Sequence, residues 1–212
     1  MAGPPSGQID VWWRPLPAAS KPGVDQTRDL LRGVLAHYRE DGSPSPQFVR
    51  DAHGKLSLAD TPEISFNLSH SGEMAVFVVA DGVCVGVDCE SLRDFDDLPQ
   101  VAEISFSEAE QKRLAQVGTA GYLALFYALW TRKEALVKAI GLGLSYPLHA
   151  VTLIGDVDDP VMPIEAPGHG LWWVSSIAAP HGYAAACASR RPFSLCYRAR
   201  FRQGELPKSG VA

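Results

Sequence analysis

Apolar and polar positions alternate along this chain in two distinct rhythms, and the places where the rhythm changes divide it into elements. From Asp25 to Tyr38, residues Leu30, Leu31, Val34 and Leu35 return at helical spacing, which predicts a helix with Asp25 as its N-cap and leaves Arg28 and Arg32 on another face. Ile9 to Trp13 reads as an edge strand, followed by a link punctuated by Pro15, Pro17, Pro22 and Gly23. The Gly-, Pro- and Ser-rich stretch from Asp41 to Pro62 reads as loop with one short strand at most. Strand signals then come in succession at Ile64 to Leu68, Met74 to Ala80 and Val83 to Glu90, the last two joined by Asp81-Gly82, a hairpin signal. Ser107 opens a helix with Glu110 at the capping-box position, and a longer helix runs from Thr119 to Ile140, closed by Gly141 and Gly143.

After Pro147 strand patterns return at His149 to Ile154, Leu171 to Ile177 and Tyr183 to Ala188. Their order echoes the first half. Asn67-Leu68-Ser69-His70-Ser71-Gly72 before one apolar strand is loosely mirrored by Ala178-Ala179-Pro180-His181-Gly182 before another. The expected fold class is α+β: two similar lobes with antiparallel sheets, related by a pseudo-twofold, with the active site in the cleft between them. The expected division is residues 1–100, residues 101–190, and a polar tail over residues 191–212 that includes Arg198, Arg200, Arg202 and Lys208.

Composition narrows the function classes. Of 212 residues, 46% are hydrophobic and 20% charged, enough for one sizeable core or two small ones. A formal net charge of -5 argues against a general nucleic-acid binder, whose affinity needs a basic face. The longest apolar run, Met74 to Ala80, is too short to cross a bilayer, so no membrane partner is expected. Cys84, Cys89, Cys187 and Cys196 lack the paired spacing of a zinc site, and the first residues lack a targeting pattern, so a reducing, cytoplasmic location is expected.

Three clusters carry candidate chemistry. In Gly86-Val87-Asp88-Cys89-Glu90 the alternation of a strand puts Asp88 and Glu90 on one face, a carboxylate pair that repels itself unless solvent, a proton or a hard cation such as Mg²⁺ relieves it. In Trp130-Thr131-Arg132-Lys133-Glu134-Ala135-Leu136-Val137-Lys138, each step of four residues drifts only about 40° around a helix, so Trp130, Glu134 and Lys138 share a face. A surface ion pair of Glu134 with Lys138 is the plainer reading of that helix alone. Phe66-Asn67-Leu68-Ser69-His70-Ser71-Gly72 reads as a polar turn whose Ser69 and His70 can donate to phosphate. His37, His53, His149 and His181 read as structural or solvated.

Taken together, the strand and helix motifs, some forty residues apart, resemble the signature pair of 4'-phosphopantetheinyl transferases of the larger, surfactin-synthetase-activating type. Phe48-Val49-Arg50 with His53-Gly54-Lys55, Phe66 to Ser71, and Gly143-Leu144-Ser145-Tyr146-Pro147-Leu148 are similar to further family segments in family order. A short Pro-rich link stands where the family carries a longer, basic stretch before the helix of Arg28. The resemblance implies Mg²⁺ held by Asp88, Glu90 and Glu134 on the pyrophosphate of coenzyme A, which Lys138 contacts. It implies a nucleotide and phosphate pocket to which Arg28, Lys55, Ser69 and His70 contribute, and Glu110 as general base for the carrier serine. Glu110 also reads as the plain capping-box residue of its helix.

The expected reaction moves 4'-phosphopantetheine from coenzyme A to a serine of an acyl, peptidyl or polyketide carrier protein and releases adenosine 3',5'-bisphosphate. The expected catalytic residues are Glu110, Glu134 and Lys138. A monomer is expected, since two halves in one chain supply a cleft. Two alternatives stay open: an inactive or weak carrier- or coenzyme A-binding relative, and a Mg²⁺-dependent phosphohydrolase acting on coenzyme A or a nucleotide with the same acids.

Overall fold

The structure is a computed structural model that describes residues 3–16, 24–39, 45–153 and 161–199. The chain runs β1 (Gln8–Pro15), α1 (Val24–Ala36), β2 (Phe48–Arg50), β3 (Leu56–Leu58), β4 (Ile64–Ser71), β5 (Met74–Asp81) and β6 (Val85–Ser91). It continues through α2 (Leu98–Ser105), α3 (Glu108–Gln116), α4 (Gly118–Ile140), β7 (Met162–Ala166), β8 (Gly170–Ser176), β9 (Tyr183–Ser189) and β10 (Ser194–Ala199). One four-stranded sheet has the order β10-β1-β5-β4, a second has the order β6-β9-β8-β7, and β2 pairs with β3.

The fold is α+β, and its topology repeats. In the first half β1, then a helix, then the antiparallel pair β4–β5 gives the sheet order β1-β5-β4; in the second half β6, helices, then β8–β9 gives β6-β9-β8. The inner faces of the two sheets meet in one apolar cluster, with Val11, Val76 and Val78 from the first against Val87, Ala185 and Cys187 from the second. On the outer face of the first sheet, Leu31, Val34 and Leu35 of α1 cover Phe66, Phe77 and Val79. On the outer face of the second, α4 covers Val174, Ala186 and Ala188. The order of layers is therefore helix, sheet, sheet, helix. This explains why Met74 to Ala80 reads as a continuous apolar run: β5 is buried on both faces along its length.

Several expectations change. The Asp81-Gly82 hairpin does not form, because both edges of β5 are taken by β1 and β4. Gly82 instead turns the chain from one sheet to the other, its N–H on the carbonyl of Glu63. The hairpin lies one strand earlier: Ser71 pairs with Met74 across Gly72-Glu73, with Gly72 at φ +54°. The strand expected at Ile64 to Leu68 is present and continues through Ser69, His70 and Ser71, which the polar-turn reading places outside it. β1 is an interior strand, not an edge, because β10 adds to it in parallel. The segment Ser194–Ala199, expected as part of the polar tail, forms that strand because Leu195 and Tyr197 pack on the inter-sheet cluster and Arg198 Nε donates to the buried Asp10 carboxylate at 2.7 Å. Tyr38 and Gln8 also donate to Asp10.

The stretch from His149 is not a strand: Leu148–Ala150 is a 3₁₀ turn, and Ile154 lies outside the described residues. Pro17, Pro22, Gly23, Arg200, Arg202 and Lys208 lie outside them as well. Asp25 falls inside the first turn of α1, which starts at Val24. The capping box of α3 is present as read, with Ser107 and Glu110 bonded reciprocally, and Gly141 ends α4 at φ +91°. Among the described residues no helix is long and apolar enough to cross a membrane.

Candidate active site

Three elements converge at one margin of the sheet stack, and the reason begins with a missing side chain. A Cβ on Gly86 would lie 2.1 Å from the carbonyl oxygen of Ala135 and 2.3 Å from the amide nitrogen of Ala139, so only glycine lets the backbones of β6 and α4 touch. Asp88 and Glu90 share the face of Gly86 by strand alternation, and Glu134 and Lys138 are the neighbours of Ala135 and Ala139 on α4. Both pairs therefore arrive at the same place.

β6 is the outer strand of its sheet, and its free edge is closed by side chains of β4. Val87 N donates to Asn67 Oδ1 at 2.9 Å, and Ser91 N donates to Ser71 Oγ at 3.1 Å. The hydroxyls of this polar row also reach the acids. Ser69 Oγ donates to Asp88 Oδ1 at 2.9 Å, and Ser71 Oγ donates to Glu90 Oε2 at 2.6 Å. Lys138 Nζ lies 2.6 Å from Asp88 Oδ1 and donates to Ser69 Oγ at 3.1 Å.

Ser69, His70, Asp88, Glu90, Trp130, Glu134 and Lys138 line one cavity of about 380 Å³. Trp130 is held as a wall by stacking on Phe126, with ring planes 8° apart. A second cavity of about 290 Å³ adjoins it, sharing Leu68 and His70, and carries Arg28, Arg50 and Lys55 on its lining. One cavity is thus rich in carboxylates and its neighbour in cations.

The electrostatics show unbalanced negative charge. Burial raises the Glu134 carboxyl above its ordinary value, the charges of Asp88 and Glu90 add to this, and Lys138 opposes it. Burial likewise raises Glu90, against the hydrogen bond from Ser71. Asp88 is 3% exposed, and its Oδ2 has no hydrogen-bond partner. A buried carboxylate oxygen without a donor is costly unless a cation or proton meets it. Among the described residues no group of three or more His, Cys, Asp and Glu side chains is drawn together as a finished metal cage. Mg²⁺ does not need one, since it is commonly held by one or two carboxylates, water and substrate phosphate oxygens. The open Asp88 Oδ2 and the neighbouring acids fit such an ion. In the second cavity, the buried Arg28 Nε likewise has no partner and is a donor without an acceptor.

Two expected site residues have their charged groups bonded elsewhere. Glu110 is 1% exposed and absent from both cavities; it pairs with Lys133 Nζ at 2.7 Å and accepts from Ser107 N and Leu153 N. Lys133 in turn donates to the carbonyls of Leu148 and Val151, so the pair fastens the segment after α4 to α3 and α4. Burial holds Lys133 below its ordinary pKa, with Glu110 opposing. Lys55 sends its ammonium to backbone carbonyls, with only part of the side chain facing the cavity. Ser71 and Arg50 were not singled out by sequence reasoning. Ser71 lies two residues from Ser69 in β4 and shares its face, the alternation that identifies it.

Comparisons with known proteins agree with the geometry. The 4'-phosphopantetheinyl transferase superfamily matches residues 84–188. The chain is 35% identical over 134 residues to 4'-phosphopantetheinyl transferase psf-1 of Bacillus pumilus, covering 61% of this chain and 56% of that protein. It is 29% identical over 164 residues to 4'-phosphopantetheinyl transferase Sfp of Bacillus subtilis (strain 168), covering 77% and 71%. It is 34% identical over 110 residues to 4'-phosphopantetheinyl transferase AcpT of Escherichia coli (strain K12), covering 52% and 55%. The chain thus spans little more than half the length of two of these relatives. Among solved structures, the crystal structure of Thermotoga maritima holo-[acyl-carrier-protein] synthase (AcpS) matches with a TM-score of 0.38 and 19% identity, covering 50% of this chain and 62% of that one. Both signature segments line one cavity, and both lie inside residues 84–188, the region of this chain that matches the 4'-phosphopantetheinyl transferase superfamily.

Proposed function

We propose that this chain transfers 4'-phosphopantetheine from coenzyme A to a serine hydroxyl of a carrier protein. The observation that carries the reading is the pairing of cavities: Asp88, Glu90, Glu134 and Lys138 in one, Arg28 and Arg50 in its neighbour, with His70 on both linings. That sequence of charges suits a diphosphate flanked by a phosphorylated nucleoside. Arg28, Ser69 and His70 bind the nucleotide and phosphate end, and Lys138 meets the pyrophosphate. Asp88, Glu90 and Glu134 are the residues that would hold Mg²⁺, which when bound supplies charge neutralisation on the phosphate oxygens.

The serine oxygen attacks the β-phosphorus, the bond from that phosphorus to the bridging oxygen breaks, and adenosine 3',5'-bisphosphate leaves with the electron pair. The hydroxyl proton passes to a carboxylate facing the cavity or to water there, because both oxygens of Glu110 are committed elsewhere. Catalysis by this site is positioning and charge stabilisation, without a covalent intermediate on the protein. Both cavity walls come from one chain, which supports action as a monomer, and the four free cysteines fit a reducing compartment such as the cytoplasm.

The test follows the leaving nucleotide by chromatography. Adenosine 3',5'-bisphosphate is expected from coenzyme A and Mg²⁺ only when an apo carrier protein is present. Equal release without carrier points to a phosphohydrolase, and no release with any carrier points to a binding relative; either result rejects the transferase reading.

A further inference from the structure

We infer that Lys55 is a positioning residue, a strut that sets the spacing between α4 and β6, and not a ligand of the phosphates that the cavities take. The inference rests on the transferase reading for its kinetic part alone. Lys55 Nζ donates to the carbonyls of Lys138 at 2.8 Å, Ala139 at 2.8 Å and Val85 at 3.2 Å. An ammonium has three hydrogens and no acceptor, so these carbonyls account for every donor it owns.

The three acceptors identify what is being joined. Lys138 and Ala139 lie in the last turn of α4, where carbonyls have no partner further along the helix and carry the negative end of its dipole. Val85 is the first residue of β6 and precedes Gly86, where strand and helix backbones touch. One cation therefore ties the element bearing Glu134 and Lys138 to the element bearing Asp88 and Glu90, from the end of the seam opposite the acids.

Lys55 is itself fixed. Asp51 Oδ1 accepts from the amides of His53 and Lys55, each at 2.9 Å, and Asp51 N donates back to Lys55 O at 3.0 Å. Gly54, at φ +87°, makes that turn. The Lys55 stem also packs against the end of α4, with Cδ 3.6 Å from where a side chain on Gly141 would start. The β2–β3 hairpin thus acts as a bracket that holds one ammonium under the helix end. Losing it removes the buried donor from three carbonyls and loosens the turn that carries Lys138.

The experiment compares the full chain with Lys55→Met and Lys55→Arg, using steady-state transfer from coenzyme A and from 3'-dephospho-coenzyme A, and hydrogen exchange over the last turn of α4. For Lys55→Met, kcat is expected to fall about 10- to 100-fold, as for a misplacement near 1 Å. The KM for coenzyme A is expected to stay within about twofold, as for loss of a group that makes no substrate contact. The preference for coenzyme A over its dephospho form is retained, and exchange at the end of α4 becomes faster. Lys55→Arg, which keeps the charge, recovers part of kcat and keeps the variant series usable if Lys55→Met does not fold. A raised KM with loss of the preference, in either variant, overturns the inference, as does unchanged exchange in Lys55→Met or, should that variant not fold, in Lys55→Arg. If the unmodified chain transfers nothing, the exchange result still decides the strut, while the transferase reading alone fails.

Discussion

At the scale of single residues, Gly86 and Asp88 decide whether the site exists. Any side chain at position 86 meets the backbone of α4, which cannot move aside as a side chain can. Gly86→Ala is therefore expected to lower stability by about 1–3 kcal/mol or more, the usual range for overpacking, and to lower activity further by pushing Lys138 away from Asp88. Chemical denaturation checks the first part and transfer kinetics the second. Asp88→Asn is a milder change in shape: Asn retains an acceptor for Ser69 and Lys138 but loses the charge. Thermal stability should hold near that of the parent chain while transfer falls by about 100-fold or more, as when a preorganised charge is removed from a site. A drop in Tm with activity preserved would assign Asp88 to the fold alone.

At the scale of elements, the buried Glu110–Lys133 pair ties α3 to α4. Removing one partner leaves the other charged and buried, so Lys133→Met is expected to cost about 3–5 kcal/mol, whereas Lys133→Met with Glu110→Leu recovers much of that loss. Urea unfolding of the single and double variants reads this directly. A pH–rate profile of Glu110→Gln that has lost its lower limb, with stability unchanged, would return Glu110 to the role of base. The sequence made Glu110 legible as a capping residue because its spacing from Ser107 is local. Its pairing with Lys133 was hidden because it depends on how α3 meets α4. The same division holds elsewhere. The 23-residue α4 and its Gly141 stop, the double-sided burial of β5, and the alternation that unites Asp88 with Glu90 are all local or periodic. By contrast, Asp81-Gly82 carries a hairpin signal that fails because the edges of β5 are occupied by strands distant in the chain. The end of β4 beyond Leu68 carries a turn-like signal because the polar face of the strand, Asn67, Ser69 and Ser71, serves a neighbouring sheet edge and not solvent. β10 looked like tail because its pairing partner lies at the other terminus.

At the scale of the whole molecule, the repeated strand, helix and hairpin stack two sheets so that a polar margin of one closes the open edge of the other. The carboxylates, the ammonium and the adjoining cations assemble at that seam, on elements held by apolar packing on both sides. Transfer as proposed modifies a carrier serine covalently at this seam. The most direct measurement is the intact mass of an apo carrier protein after incubation with this chain, coenzyme A and Mg²⁺. The expected result is a gain of about 340 Da, one phosphopantetheine arm, absent when the serine is replaced by alanine. A carrier of unchanged mass, with the chain folded and coenzyme A and Mg²⁺ in excess across acyl, peptidyl and polyketide carriers, would contradict it.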